Sequence, residues 1–151
     1  MINTHETYML EAIKEAKKAL SNDEVPIGAV IVHKKKIIAR AHNMSLTLCD
    51  PTAHAEMQAI TSACNYLKSR YLNECTIYIT LEPCRMCFGA LFWAQIGHIV
   101  YGAEDIKYHK KKIIKELIHK KTILSKGILK EECGYLLSFF FEKKRKFNLK
   151  K

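Results

Sequence analysis

Apolar residues recur along the chain at two spacings, and these divide it into helices and short strands. Across 5–20, Tyr8 or Met9, Ala12, Ile13, Ala16, Ala19 and Leu20 fall at three- and four-residue intervals with charges between them. That spacing predicts an amphipathic helix burying one face. Ser21-Asn22-Asp23 ends it. Glu24 to Val32 reads as a turn feeding a buried strand, Lys34-Lys35-Lys36 as a hairpin turn, and Ile37 to Ala41 as the return strand. His42-Asn43 opens a loop lasting to Pro51. A helix over about 54–67 then sets Met57, Ile60, Ala63, Cys64 and Leu67 at core spacing. Thr76 to Thr80 is a β-branched and aromatic strand, and Pro83 suits the first turn of a helix from Cys84 to Ala94. That helix is apolar nearly all round (Met86, Phe88, Leu91, Phe92, Trp93), which predicts deep burial or a shared interface. His98 to Gly102 is a further strand, Ile113 to His119 a short helix and Thr122 to Leu124 a last strand. Lys130 to Phe147 is a long terminal helix with Cys133, Leu136, Leu137 and Phe140 inward. Helices alternating with short strands predict a three-layer α/β sandwich.

Composition narrows the setting. At 151 residues the chain reads as one domain, able to bury roughly 68–70% of its unfolded surface without disulfides. Its six cysteines include only one close pair, and no secretory leader is evident, so a reducing compartment and a cytoplasmic location are expected. No run approaches the ~18 apolar residues of a membrane span. The net charge of +10 is uneven: residues 1–106 hold 10 Lys/Arg against 11 Asp/Glu, and residues 107–151 hold 15 against 4. A near-neutral body with a basic final segment predicts a polyanionic partner, although a lysine-rich composition would also solvate helices this way.

The candidate chemistry lies in two short stretches. Pro83-Cys84-Arg85-Met86-Cys87 sets two thiols three apart at a helix start, and Pro51-Thr52-Ala53-His54-Ala55-Glu56 offers an imidazole and a carboxylate. Zinc favours thiolate and imidazole; a structural site closes with four protein ligands, whereas a catalytic one leaves a position for water. His54, Cys84 and Cys87 are the three candidate ligands. Glu56 is the candidate base, taking a proton from water activated by zinc and returning it to a substrate nitrogen. His54 and Glu56 would diverge on a regular helix, so the reading requires two helix amino termini facing one metal. Two alternatives stand beside it: a redox CxxC, and a closed structural zinc site completed by Cys49, Asp50 or His42. Cys64, Cys75 and Cys133 read as core packing, Cys49 as an inert loop cysteine, and His5, His33, His98, His109 and His119 as surface or satisfied histidines.

His54-Ala55-Glu56 followed by Pro83-Cys84-Arg85-Met86-Cys87 resembles the cytidine deaminase superfamily, whose zinc-site signature this is. Within it the chain is most similar to the bacterial tRNA-specific adenosine deaminases. The matching stretches are Glu24 to Val30, Asn43, Asp50 to Glu56, Thr80 to Cys84, and Gly127-Ile128-Leu129 leading into a helix with Phe140-Phe141. The resemblance implies a cytidine deaminase-like α/β/α sandwich around a mixed five-stranded sheet, one Zn²⁺ per subunit and a homodimer. It implies hydrolysis of adenosine to inosine at the wobble position of a tRNA, chiefly an arginine tRNA. Glu56 would be the proton carrier, Asn43 would hydrogen-bond the flipped base, and Val25, Ala55 and Asp105 would contact substrate. After Ala103-Glu104-Asp105 the chain departs from the family's small glycine- and alanine-rich loop, carrying Ile106-Lys107-Tyr108-His109-Lys110-Lys111-Lys112 instead. Two competing readings are a guanine or other free-base deaminase, and a non-catalytic zinc-stabilised RNA-binding subunit. The basic segment weighs against the first, Glu56 against the second.

Overall fold

The computed structural model describes residues 3–105 and 114–149. Helix α1 (Thr4–Ser21) leads into the hairpin β1 (Gly28–His33) and β2 (Lys36–His42), followed by α2 (Ala55–Leu67) and β3 (Cys75–Leu81). Then come α3 (Arg85–Trp93), β4 (His98–Ala103), α4 (Ile114–Leu117), β5 (Ile123–Ser125) and α5 (Lys130–Leu149). The sheet runs in the order β2-β1-β3-β4-β5. β1 is antiparallel to both β2 and β3, while β3, β4 and β5 are parallel, so the expected mixed five-stranded sheet is present.

Strand alternation sorts the core into two layers. Ile31, Ile77, Ile79, Ile99 and Tyr101 face a cluster completed by Ala55, Ala59 and Ala63 of α2 and by Phe88 and Leu91 of α3. Val30, Val32, Tyr78 and Val100 face the other way, against Met9, Ala12, Ile13 and Ala16 of α1 and Cys133 and Leu136 of α5. This is the α/β/α sandwich expected from the helix–strand alternation. Gly28 lets α1 lie close to β1, because a Cβ there would collide with Ala12 O and Ala16 N. The two-residue turn between β1 and β2 is made by Lys34 and Lys35 at φ 48° and 64°, the left-handed pair that a tight hairpin requires.

Three details differ from the sequence expectations. In α2 Ala63 is inward as expected, but the other inward positions are Ala55, Glu56 and Ala59, with Met57, Ile60, Cys64 and Leu67 only partly buried. Small residues bring that helix close to the sheet and turn Glu56 inward. In α3 only Cys87, Phe88 and Leu91 are buried, and Trp93 is 79% exposed. Cys84 precedes α3 as its N-cap rather than forming its first turn. The unusual loop 106–112 lies outside the described residues. Among the described residues no helix is long and apolar enough to cross a membrane.

Candidate active site and metal cluster

Two helix amino termini meet at one point. His54 is the N-cap of α2 (φ −73°, ψ 156°) and Cys84 the N-cap of α3 (φ −72°, ψ 173°), and neither side chain caps its own helix. Their carbonyls accept the first helical bonds, from Gln58 N at 3.2 Å and Phe88 N at 2.9 Å. An N-cap residue keeps extended backbone, so its side chain leaves the helix axis and can turn across to the neighbouring helix. This removes the objection that residues two apart on a helix point apart: His54 stands before α2 and Glu56 within its first turn.

The donor atoms of His54, Cys84 and Cys87 all lie within 4.8 Å of one another. His54 Nδ1 is 3.6 Å from Cys84 Sγ and 3.5 Å from Cys87 Sγ. A tetrahedral ion with bonds of ~2.1 Å to nitrogen and ~2.3 Å to sulfur needs an N···S separation of ~3.6 Å. The residues therefore fit such an ion. A hydrogen bond from the Cys87 thiol draws the Cys84 pKa down to about 5, assisted by the Cys87 and Met86 amides. The same bond, with burial, pushes Cys87 upward. Of the residues considered for a fourth ligand, His42 Nδ1 lies 3.3 Å from Glu15 Oε2, and Asp50 Oδ1 accepts bonds from Thr52 N and Oγ1. Cys49 is exposed. Among the described residues no further His, Cys, Asp or Glu joins the cluster.

Glu56 is only 4% exposed, and its Oε1 has no hydrogen-bond partner. Burial raises its pKa above the ordinary carboxylate value, and the Cys84 charge acts in the same direction. A buried acceptor without a partner is costly, so its place beside three candidate metal donors points to chemistry rather than packing.

These groups open onto a cavity of about 650 Å³. Val25, Asn43, Ala55 and Asp105, each singled out from the sequence, all line it together with His54, Glu56 and Cys84. Asn43 is 5% exposed, and its Oδ1 accepts a bond from Ser45 N at 3.3 Å. The sequence reading missed the α5 side of the cavity, formed by Leu137, Ser138, Phe141 and Arg145. Their spacing is helical, but that spacing places Leu137 in the core, and Arg145 stands among other cations in the basic final segment. Lys144, beside Arg145, instead bonds Asp23 Oδ2 at 2.6 Å.

A family model described as MafB19-like deaminase matches residues 3–141. The tRNA-specific adenosine deaminase of Bacillus subtilis is 47% identical over 147 residues, covering 93% of this chain and 91% of its own. A solved structure from work on A-to-I editing by tRNA:A34 deaminases at the wobble position superposes with a TM-score of 0.81 at 36% identity. It covers 87% of this chain and 99% of its own. The solved guanine deaminase of Bacillus subtilis has a TM-score of 0.66 at 39% identity, covering 74% of this chain and 71% of its own. On the family match and the full-length similarity together, the chain belongs to the tRNA-specific adenosine deaminase family.

Proposed function

We propose that this protein hydrolyses adenosine to inosine at the wobble position of a tRNA anticodon, with one Zn²⁺ held by His54, Cys84 and Cys87. The observation that carries this reading is the junction of a three-donor cluster and the buried Glu56 carboxylate with a cavity walled by α5. Zinc in that cluster would supply Lewis-acid activation of the attacking water at neutral pH. Glu56 takes one water proton and delivers it to purine N1, then takes the second from the C6 hydroxyl and delivers it to the departing amine. Oxygen bonds to C6, the C6–N6 bond breaks, ammonia leaves and a C6 carbonyl remains. The raised pKa of Glu56 suits a group that must both accept and donate a proton. Asn43 Oδ1 accepts one bond from Ser45 N, which leaves its amide hydrogens and a second oxygen lone pair for the flipped base. Val25 and Ala55 supply apolar contact, and Asp105 contacts the substrate from the segment just after β4.

A free-base deaminase is the second reading, favoured by the likeness to the guanine deaminase structure. Against it, Phe141 and Arg145 extend the cavity with a ring to stack a neighbouring base and a cation for a phosphate, which a free base does not use. We further propose a cytoplasmic homodimer acting chiefly on an arginine tRNA. Trp93, 79% exposed on α3, supports a second copy covering that face. Replacing Glu56 with Ala tests the mechanism: zinc content stays at one per chain while inosine formation falls by about 10²–10⁴-fold or more. Full activity in that variant would refute the assignment and favour an alternative proton carrier.

A further inference from the structure

The segment from Asn43 to His54 joins the residue proposed to read the base to one proposed to hold the metal. Two side chains outside that machinery tie it down. Gln58, one turn into α2, directs Nε2 at three carbonyls: His42 O at 2.7 Å, Ala53 O at 3.2 Å and His54 O at 3.4 Å. One amide thereby links the end of β2, next to Asn43, with the N-cap of α2. The His42 ring is held from its other side by Glu15, and Asn43 N donates to Ile27 O at 3.0 Å. Glu24 holds the start of the loop, just after Asn43. It is 1% exposed, and its two carboxylate oxygens accept Leu46 N at 3.0 Å and Thr47 N at 2.8 Å. Met44 N to Ala53 O at 3.0 Å closes the loop across its base. A charged acceptor buried on two backbone amides is stronger than a neutral bond, and here it fixes a segment with little regular structure of its own.

We infer that Glu24 and Gln58 are positioning residues, which set the placement of Asn43 relative to His54 and so the lie of the target base against Glu56. This rests on the function proposed above. Gln58 governs the metal end, because it ties the Ala53–His54 backbone that carries the candidate ligand to His42 O at the end of β2. Glu24 governs the substrate end, because the amides it holds follow Asn43 and Ser45.

The test uses full-length zinc-loaded protein and the near-isosteric variants Glu24→Gln and Gln58→Met. Three readouts are needed: amide hydrogen exchange of 44–53, zinc release to a chelator, and KM and kcat on an anticodon stem-loop with wobble adenosine. Glu24→Gln replaces one acceptor with an amide NH2 facing a backbone N–H. It is expected to speed exchange at Leu46 and Thr47 and raise KM about tenfold, with kcat within about threefold of wild type. Gln58→Met is expected to speed zinc release about tenfold. Lowered melting temperature with exchange, zinc release and the KM-to-kcat balance all unchanged would overturn the inference and leave both residues as ordinary packing. Exchange and zinc release do not depend on turnover, so they decide this point even if wild-type protein leaves the stem-loop unaltered, an outcome that would refute the proposed function instead.

Discussion

Arg145 and Lys144 are adjacent in sequence but differ in surroundings, and this gives a graded prediction for the basic end of the chain. Arg145 lines the cavity one helical turn beyond Phe141, whereas the Lys144 ammonium is paired with Asp23 at 2.6 Å. Lys143 is exposed and does not line the cavity. A phosphate contact from an exposed arginine is discounted for solvent to about 1 kcal/mol, equivalent to roughly a fivefold loss of affinity in Arg145→Ala. One contact to a single-stranded loop also removes about 0.7 from the slope of log affinity against log salt. Between 50 and 200 mM salt that difference alone amounts to about 2.5-fold. Lys144→Ala frees a carboxylate and weakens the tie between α5 and the turn after α1, but changes RNA affinity by less than about twofold. Lys143→Ala gives a similarly small change. Fluorescence anisotropy of a labelled anticodon stem-loop, titrated at several salt concentrations, measures both quantities. Equal losses and equal slopes for all three variants would refute the reasoning, because the tail would then act as diffuse charge and the α5 wall of the cavity would not bind RNA.

Other expected outcomes concern stability. Gly28→Ala places a methyl group against the Ala12 carbonyl and Ala16 amide of α1, and should cost about 3 kcal/mol in denaturant unfolding. Lys35→Gly, at φ 64° in the hairpin turn, should stabilise by about 0.5 kcal/mol, because a left-handed residue without Cβ is unstrained and the Tyr8 hydroxyl bond to the residue 35 carbonyl is kept. Burial alone would raise the Glu15 carboxyl, but bonds from Lys18, Arg40 and His42 outweigh it and hold its pKa below the ordinary 4.5. A depressed folded pKa gives stability that is full above 4.5 and lost as pH falls through the folded value. Melting temperature should therefore drop most steeply below pH 4.5, and Glu15→Gln should flatten that limb.

Much of the architecture was legible because the apolar spacing and the burial coincide. Val30 and Ile31, or Ile77 and Tyr78, take opposite faces as strand alternation requires, and α1 buries the stripe its spacing marks. The periodicity failed where small residues and function compete with it. Ala55 and Ala59 join the expected Ala63 on the inward face of α2 although Met57 and Ile60 are larger, and the close approach to the sheet sets the buried Glu56 beside the His/Cys/Cys cluster. Trp93 stands exposed on a helix whose apolarity predicts either deep burial or a shared interface. At the site, the ligand spacing singles out His54, Cys84 and Cys87, whose donor atoms lie within 4.8 Å of one another, and Glu56 lines the same cavity. Gln58 and Glu24 carry no motif chemistry of their own, since a glutamine on three carbonyls is visible only once the loop is folded. Arg145 was hidden among its charged neighbours; only the helix phase separates it from Lys144.

The central claim is that the cavity works on a base presented by RNA. Its most direct test is to incubate the zinc-loaded protein separately with an anticodon stem-loop carrying wobble adenosine and with free guanine, adenosine and cytidine. The account predicts inosine in the stem-loop and no turnover of the free compounds. Deamination of a free base or nucleoside with the stem-loop untouched would contradict it and make the protein a salvage enzyme.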